Sequence, residues 1–181
     1  MVEIRIHGRG GQGSVTAAEL VAAAAFYDGK YSQGFPNFGV ERRGAPVTAF
    51  VRIDDKFIRL RSQVYEPDYL IIQDPSLLEN VNVFEGAKKE AVVLINSEKP
   101  ATDFKTPKGI KIKTIPATKL ALEIIGQPII NTILLGAFAG LTGLIKLESV
   151  ERAIKERFDD EEIIRKNIEA AKRGFELIKQ S

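Results

Sequence analysis

The residues best placed to do chemistry form a glycine-rich turn, Gly8-Arg9-Gly10-Gly11-Gln12-Gly13. Gly8, Gly10 and Gly13 fit G-x-G-x-x-G between a strand-like and a helix-like segment, the context in which that pattern carries weight. Absent side chains let the backbone turn tightly and approach an anionic group. The following helix then aims several N–H groups and its positive dipole end at that group. A complete nicotinamide site also needs an acidic residue about 20 residues further on. The stretch Lys30-Tyr31-Ser32-Gln33-Gly34-Phe35-Pro36 supplies none, and Gln12 is an unusual spacer. Two readings therefore stand: a phosphate or diphosphate bound at the turn, or glycines that serve only close helix–strand packing.

Other residues invite chemical readings. Glu41-Arg42-Arg43 offers two guanidinium forks, suited to phosphate or to a partner's carboxylates through paired, charge-assisted hydrogen bonds. Phe35, Pro36 and Phe38 form either an apolar patch that seeks a partner or a satellite of the core. His7 closes the first strand beside the turn. It reads as a hydrogen-bonded structural residue, with contact to a bound phosphate as the alternative and no second group to orient it for catalysis. Gly136, Gly140 and Gly143 read as sites of close helix packing.

These residues need a scaffold. Val2 to His7 alternates and reads as a strand. Ser14 to Tyr27 is alanine-dense and reads as a helix ended near Asp28-Gly29. Lys30 to Ala45 lacks periodicity and reads as a long functional loop. Pro46–Ile53 and Lys56–Leu60 read as an antiparallel hairpin turning at Asp54-Asp55. Tyr69–Gln73, Ala91–Ile95 and Lys111–Ile115 read as buried parallel strands, with a short helix starting at Asp74-Pro75. Helices follow: Ala117–Ile125, one capped by Asn131, one capped by Ser149, and one from about Asp160 to Lys179. The last carries a seam of Ile164, Ile168, Ala171, Phe175 and Ile178. The order predicts an α/β fold, a Rossmann-like open and mostly parallel sheet with helices on both faces and a helical C-terminal third.

The 181 residues suit one domain, residues 1–181. Basic and acidic residues number 26 and 24, a balance that argues against a nucleic-acid partner. The absence of cysteine excludes a catalytic thiol and any cysteine-held cluster on this chain. A single histidine argues against a histidine-based metal site. The uncharged stretch from Ile124 to Ile145 reaches spanning length, but Pro128 breaks it, so two buried elements are expected rather than a membrane span. Glu3 and Arg5 interrupt any signal-peptide pattern, and a cytoplasmic location is expected.

Gly8-Arg9-Gly10-Gly11-Gln12-Gly13-Ser14-Val15-Thr16-Ala17-Ala18 resembles the opening signature of gamma subunits of 2-oxoacid:ferredoxin oxidoreductases. Gly29 to Pro36, Phe38 to Val47, Asp74-Pro75-Ser76-Leu77-Leu78 and Asn131-Thr132 are similar to further blocks of the same family, so the resemblance spans nearly the whole chain. The form is closest to gamma subunits of the pyruvate and 2-oxoisovalerate enzymes. The resemblance implies a subunit of an enzyme that oxidatively decarboxylates a 2-oxoacid, transfers the acyl group to coenzyme A and reduces ferredoxin. It implies alpha, beta and ferredoxin-like delta partners. Thiamine diphosphate, Mg and 4Fe-4S clusters would sit on other subunits, with no catalytic residue, metal or cofactor on this chain alone. It assigns Gly8, Gly10, Gly11, Gln12, Gly13, Arg42 and Arg43 to contact with coenzyme A or a neighbouring subunit. The alternative is an autonomous flavin- or nicotinamide-binding oxidoreductase domain.

Overall fold

The computed structural model describes residues 1–37 and 43–180. Phe38, Glu41 and Arg42 lie outside the described residues. Six strands form one sheet: β1 (Val2–Arg9), β2 (Tyr31–Pro36), β3 (Pro46–Asp54), β4 (Tyr69–Ile72), β5 (Val92–Asn96) and β6 (Lys111–Ile115). Their order is β2-β3-β1-β4-β5-β6. β1, β4, β5 and β6 run parallel, while β3 is antiparallel to both β1 and β2. The helices are α1 (Ser14–Tyr27), α2 (Leu77–Asn80), α3 (Ala117–Ile124), α4 (Asn131–Thr142), α5 (Leu147–Arg157) and α6 (Glu161–Gln180).

Strand alternation divides the core in two. Ile4, Ile6, Val51, Ile71 and Leu94 face the large helices. Leu70, Ile72, Val93 and Ile95 face away, against Leu77 of α2 and Val83. The expected helices on both faces are thus unequal: α1, α3, α4, α5 and α6 join the first core, while α2 and irregular chain around Val83, Phe84 and Phe104 cover the second. Alanines Ala17, Ala18, Ala24 and Ala25 let α1 sit close against the sheet. Small residues also bring α4 and α6 together. A side chain at Gly136 would meet the Ala171 carbonyl, and one at Gly174 would meet that of Ile133, so packing explains these glycines.

Several expectations are corrected. Lys30–Ala45 is not all loop, because Tyr31–Pro36 forms edge strand β2. Its periodicity is hidden by Gly34, whose missing side chain admits the Ala18 carbonyl of α1, and Pro36 is tolerated at the end of an edge strand. Lys56–Leu60 is no strand. The Asp54 carboxylate accepts a hydrogen bond from the Lys56 N–H at 3.1 Å and turns the chain into an irregular strap, while β3 finds its partners in β1 and β2. Asn131 and Ser149 lie inside their helices rather than capping them. Asp28, beyond the end of α1, does the capping for α5. It accepts from the Lys146 N–H and the Ser149 hydroxyl, each at 2.7 Å. The α6 seam is also shifted, since Asn167, Ala170, Ala171, Gly174 and Ile178 are its buried residues.

Candidate functional site at the carboxyl ends of the parallel strands

From β1 the chain crosses by α1 to β2 and β3 on one side, and later returns to β4 on the other. The carboxyl ends of β1 and β4 therefore form a topological switch point, the usual crevice for ligands in open α/β sheets. The glycine turn occupies it. Gly13 has φ of 75° and is the N-cap of α1, which has no side-chain cap. The N–H groups of the first helical turn are thus left to main-chain chemistry.

Three polar side chains buttress the turn. The Ser14 hydroxyl donates to Gln73 Oε1 at 2.6 Å, and Gln73 Nε2 donates to Asn131 Oδ1 at 2.8 Å. Gln73 is fixed by its own backbone, with its N–H bound to the His7 carbonyl and its carbonyl bound by Asn96 Nδ2. A side chain at Gly8 would collide with Gln73 and Ser14, and one at Gly13 with Asn131. Close packing therefore explains those two glycines. It does not explain Gly11, where a side chain would meet nothing nearer than Arg43 Cγ at 3.9 Å. Gly11 instead takes φ of 96°, which side chains disfavour. Gln12 closes the turn, its Oε1 accepting from the Arg9 N–H at 2.7 Å.

The segment carrying Arg43 lies directly against this turn. The Gly10 N–H donates to the Ala45 carbonyl at 2.8 Å, and the Gly44 N–H donates to the Gly10 carbonyl at 3.0 Å. Arg43 is exposed beside Gly11, so the two sequence signatures meet in space. Arg9 locks the rim, donating to Asp74 at 2.8 Å, to Ser76 Oγ at 2.7 Å and to the Gly44 carbonyl at 3.1 Å. Burial pushes the Asp74 carboxyl up, but hydrogen bonds from Ser76 and the Arg9 guanidinium outweigh it and hold it below its ordinary value. A cleft of about 390 Å3 opens here, lined by Gly11, Gln12, Gly13, Asn96, Thr118 and Asn131.

Gln73, Asn96 and Thr118 escaped the sequence reading. For Gln73 and Asn96 the available signal was a polar residue at the end of each apolar strand run, where the sheet's carboxyl edge meets the crevice. His7 is not at this site. Its ring faces the opposite side of the sheet. Phe35 is half-buried on β2 and rests against Phe50, with ring centroids 5.4 Å apart, so it belongs to the core's margin. Among the described residues no cluster of histidine, aspartate and glutamate could hold a metal ion, and no helix is long and apolar enough to cross a membrane.

The crevice, built from a glycine turn and a neighbouring arginine segment at one end of an open, mostly parallel sheet, defines the chain as an α/β protein. Residues 3–177 match the family model for pyruvate ferredoxin/flavodoxin oxidoreductase, and the chain belongs to that family. It is 56% identical over 181 residues to pyruvate synthase subunit PorC of Methanocaldococcus jannaschii, covering 99% of each chain. It is 55% identical over 179 residues to the pyruvate/ketoisovalerate oxidoreductases common subunit gamma of Thermococcus litoralis, covering 97% of this chain and 96% of that one. The crystal structure of pyruvate oxidoreductase subunit PORC from Thermotoga maritima superposes with a TM-score of 0.86 at 39% identity, covering 97% and 95%. The chain is a gamma-type subunit of a 2-oxoacid oxidoreductase of this family, and the autonomous cofactor-binding domain is not favoured.

Proposed function

We propose that residues 1–181 act as one gamma domain in a cytoplasmic pyruvate:ferredoxin oxidoreductase, and that the glycine turn with Arg42 and Arg43 contacts coenzyme A or a neighbouring subunit. The observation that carries this reading is the seating of Arg43 beside Gly11 at the switch point. Backbone N–H groups and a guanidinium are the donors that a phosphate-rich ligand requires. The polar side chains behind the turn are bonded to one another, so the turn presents main chain outward. Coenzyme A, when bound, supplies the thiol that accepts the acyl group. This chain's part is to hold the phosphate end and to fix it relative to its partners.

Alpha, beta and ferredoxin-like delta subunits complete the assembly in this reading, with ferredoxin as acceptor. Thiamine diphosphate, Mg and 4Fe-4S clusters lie on those subunits. The names of the relatives, which are pyruvate enzymes, support pyruvate as the substrate. Replacing Arg42 and Arg43 together by Ala is expected to raise the apparent KM for coenzyme A or to weaken assembly. Steady-state kinetics and sedimentation of the purified assembly measure both, and unchanged values in the two would refute the role.

A further inference from the structure

The two edges of the sheet are finished differently. β6 carries Lys111 and Lys113, the usual guard against pairing with another chain. β2, at the other edge, reads Tyr31-Ser32-Gln33-Gly34-Phe35-Pro36 and has no charge. An uncharged edge is a template for a further strand.

The register fixes which main-chain groups of β2 are free. Just beyond it, the Asn37 N–H donates to the Thr48 carbonyl at 2.9 Å, in register with the β2–β3 pairing. Bonded positions alternate along an antiparallel pair, so Tyr31, Gln33 and Phe35 turn their main-chain groups to β3. Ser32, Gly34 and Pro36 turn theirs outward. Pro36, which lacks an N–H, therefore costs no bond to β3. The outward N–H groups of Ser32 and Gly34 donate to none of the described residues.

The surroundings of this edge are apolar and basic. A cavity of about 440 Å3 lies against its middle, lined by Gln33, Gly34, Phe35 and Arg61. Arg61 comes from the strap that follows β3. The strap runs beside β2, with the Phe57 and Tyr31 ring centroids 5.9 Å apart and the Ile58 carbonyl accepting from Gln33 Nε2 at 3.1 Å. Its Phe57 and Leu60 are 67% and 47% exposed. Lys56, Arg59 and Arg61 are exposed too, and have no ion pair among the described residues. Lys56 to Arg61 contains no acid, and the acids just before it are engaged: Asp54 holds the terminal ammonium of Met1, and Asp55 holds Lys30.

We propose that the outer edge of β2 receives an extended acidic segment of a neighbouring subunit as a further strand. Its main chain bonds Ser32 and Gly34, a carboxylate pairs with Arg61, and an apolar side chain enters the cavity against Phe35. Main-chain bonds give such an addition its strength, and the side-chain contacts give it selectivity. A second copy of this chain is a poor occupant. Antiparallel pairing about the middle of the strand would set the two Arg61 groups against each other. None of these residues belongs to the glycine turn, so occupancy of the edge does not depend on coenzyme A there.

Amide hydrogen exchange of Tyr31–Phe35, in the lone chain and in the purified assembly, tests this. In the lone chain Ser32 and Gly34 are expected to exchange fast and Gln33 and Phe35 slowly. In the assembly Ser32 and Gly34 are expected to slow about tenfold or more. Unchanged exchange on assembly overturns the proposal. So does protection of Ser32 and Gly34 in the lone chain, whether constant, from cover within the chain, or rising with concentration, from a second copy. Two substitutions read the separate contacts through the dissociation constant of this chain from its assembly. Arg61→Glu is expected to weaken assembly about tenfold or more, with Arg61→Lys nearly normal. Ser32→Pro removes an outward N–H and should weaken assembly well beyond Ser32→Ala, which loses only the hydroxyl bond to the Ala22 carbonyl. Normal assembly of Arg61→Glu, or equal assembly of the Pro and Ala variants, overturns it. If Ser32→Pro does not fold, exchange and the exposed Arg61 decide.

Discussion

Strand β1 is used twice, once at its tip and once across its middle, by opposite means. At the tip, side chains bond one another through Ser14, Gln73 and Asn131, and through Arg9, Asp74 and Ser76. What faces outward there is backbone. Across the middle, the backbone is engaged in the sheet and the side chains of Arg5 and His7 are buried against one another, Arg5 Nε donating to His7 Nε2 at 3.0 Å. A site of main-chain donors is set by φ and by close approach, so it depends on glycine. A buried side-chain pair is set by burial, which with the Arg5 charge drives the His7 pKa down to about 3, so it depends on charge and on pH.

The largest effect expected from this contrast is at the tip. Gly8→Ala and Gly13→Ala each drive a methyl group into a hydrogen-bonded side chain and are expected to cost roughly 2–4 kcal/mol. Gly11→Ala meets only open space and an arginine stem, and should cost about 1–2 kcal/mol from its φ alone. Urea denaturation of the three variants orders them, and equal losses would erase the distinction between packed and presented glycines.

The middle responds to pH. Below pH 6.5 the unfolded chain protonates its histidine, whereas native His7 does so only near pH 3. The unfolded state then binds the extra proton, so stability falls as pH drops, by at most about 1.4 kcal/mol per unit in that window. Above pH 6.5 the effect is absent. Urea midpoints at pH 7.5, 6 and 5 should show the slope, and His7→Gln should flatten it.

Smaller effects separate the rim arginine from the exposed arginine beside Gly11. Arg9→Ala removes a partly buried ion pair to Asp74 and is expected to cost about 1 kcal/mol in thermal unfolding. Arg43→Ala should change stability by under about 0.5 kcal/mol, since the residue is exposed, while the coenzyme A or assembly readout still moves. A stability loss at Arg43 as large as at Arg9 would make it part of the scaffold.

Strands and helices with clean periodicity were legible, and Ser14–Tyr27 was bounded correctly from alanine density and the flanking glycines. β2 was not, because Gly34 and Pro36 are chosen for contact with α1 and for an edge position rather than for strand propensity. The caps failed for a related reason. Asn131 is spent on Gln73, and the cap of α5 comes from Asp28, far away in sequence. The turn was legible as a motif, and its partnership with the Arg43 segment through the family signatures. The polar network of Gln73, Asn96 and Thr118 behind the turn depends on strand order, which local sequence does not encode. His7 adjoins the turn in sequence, yet strand alternation sends it to the other face of the sheet.

As a gamma-type subunit, this chain is one part of a larger enzyme. Purification of the chain from its native source, with quantitation of every polypeptide and cofactor that accompanies it, tests this most directly. Equal amounts of thiamine-dependent and cluster-bearing subunits are the predicted result. A lone chain that is active and carries its own flavin or nicotinamide would contradict it.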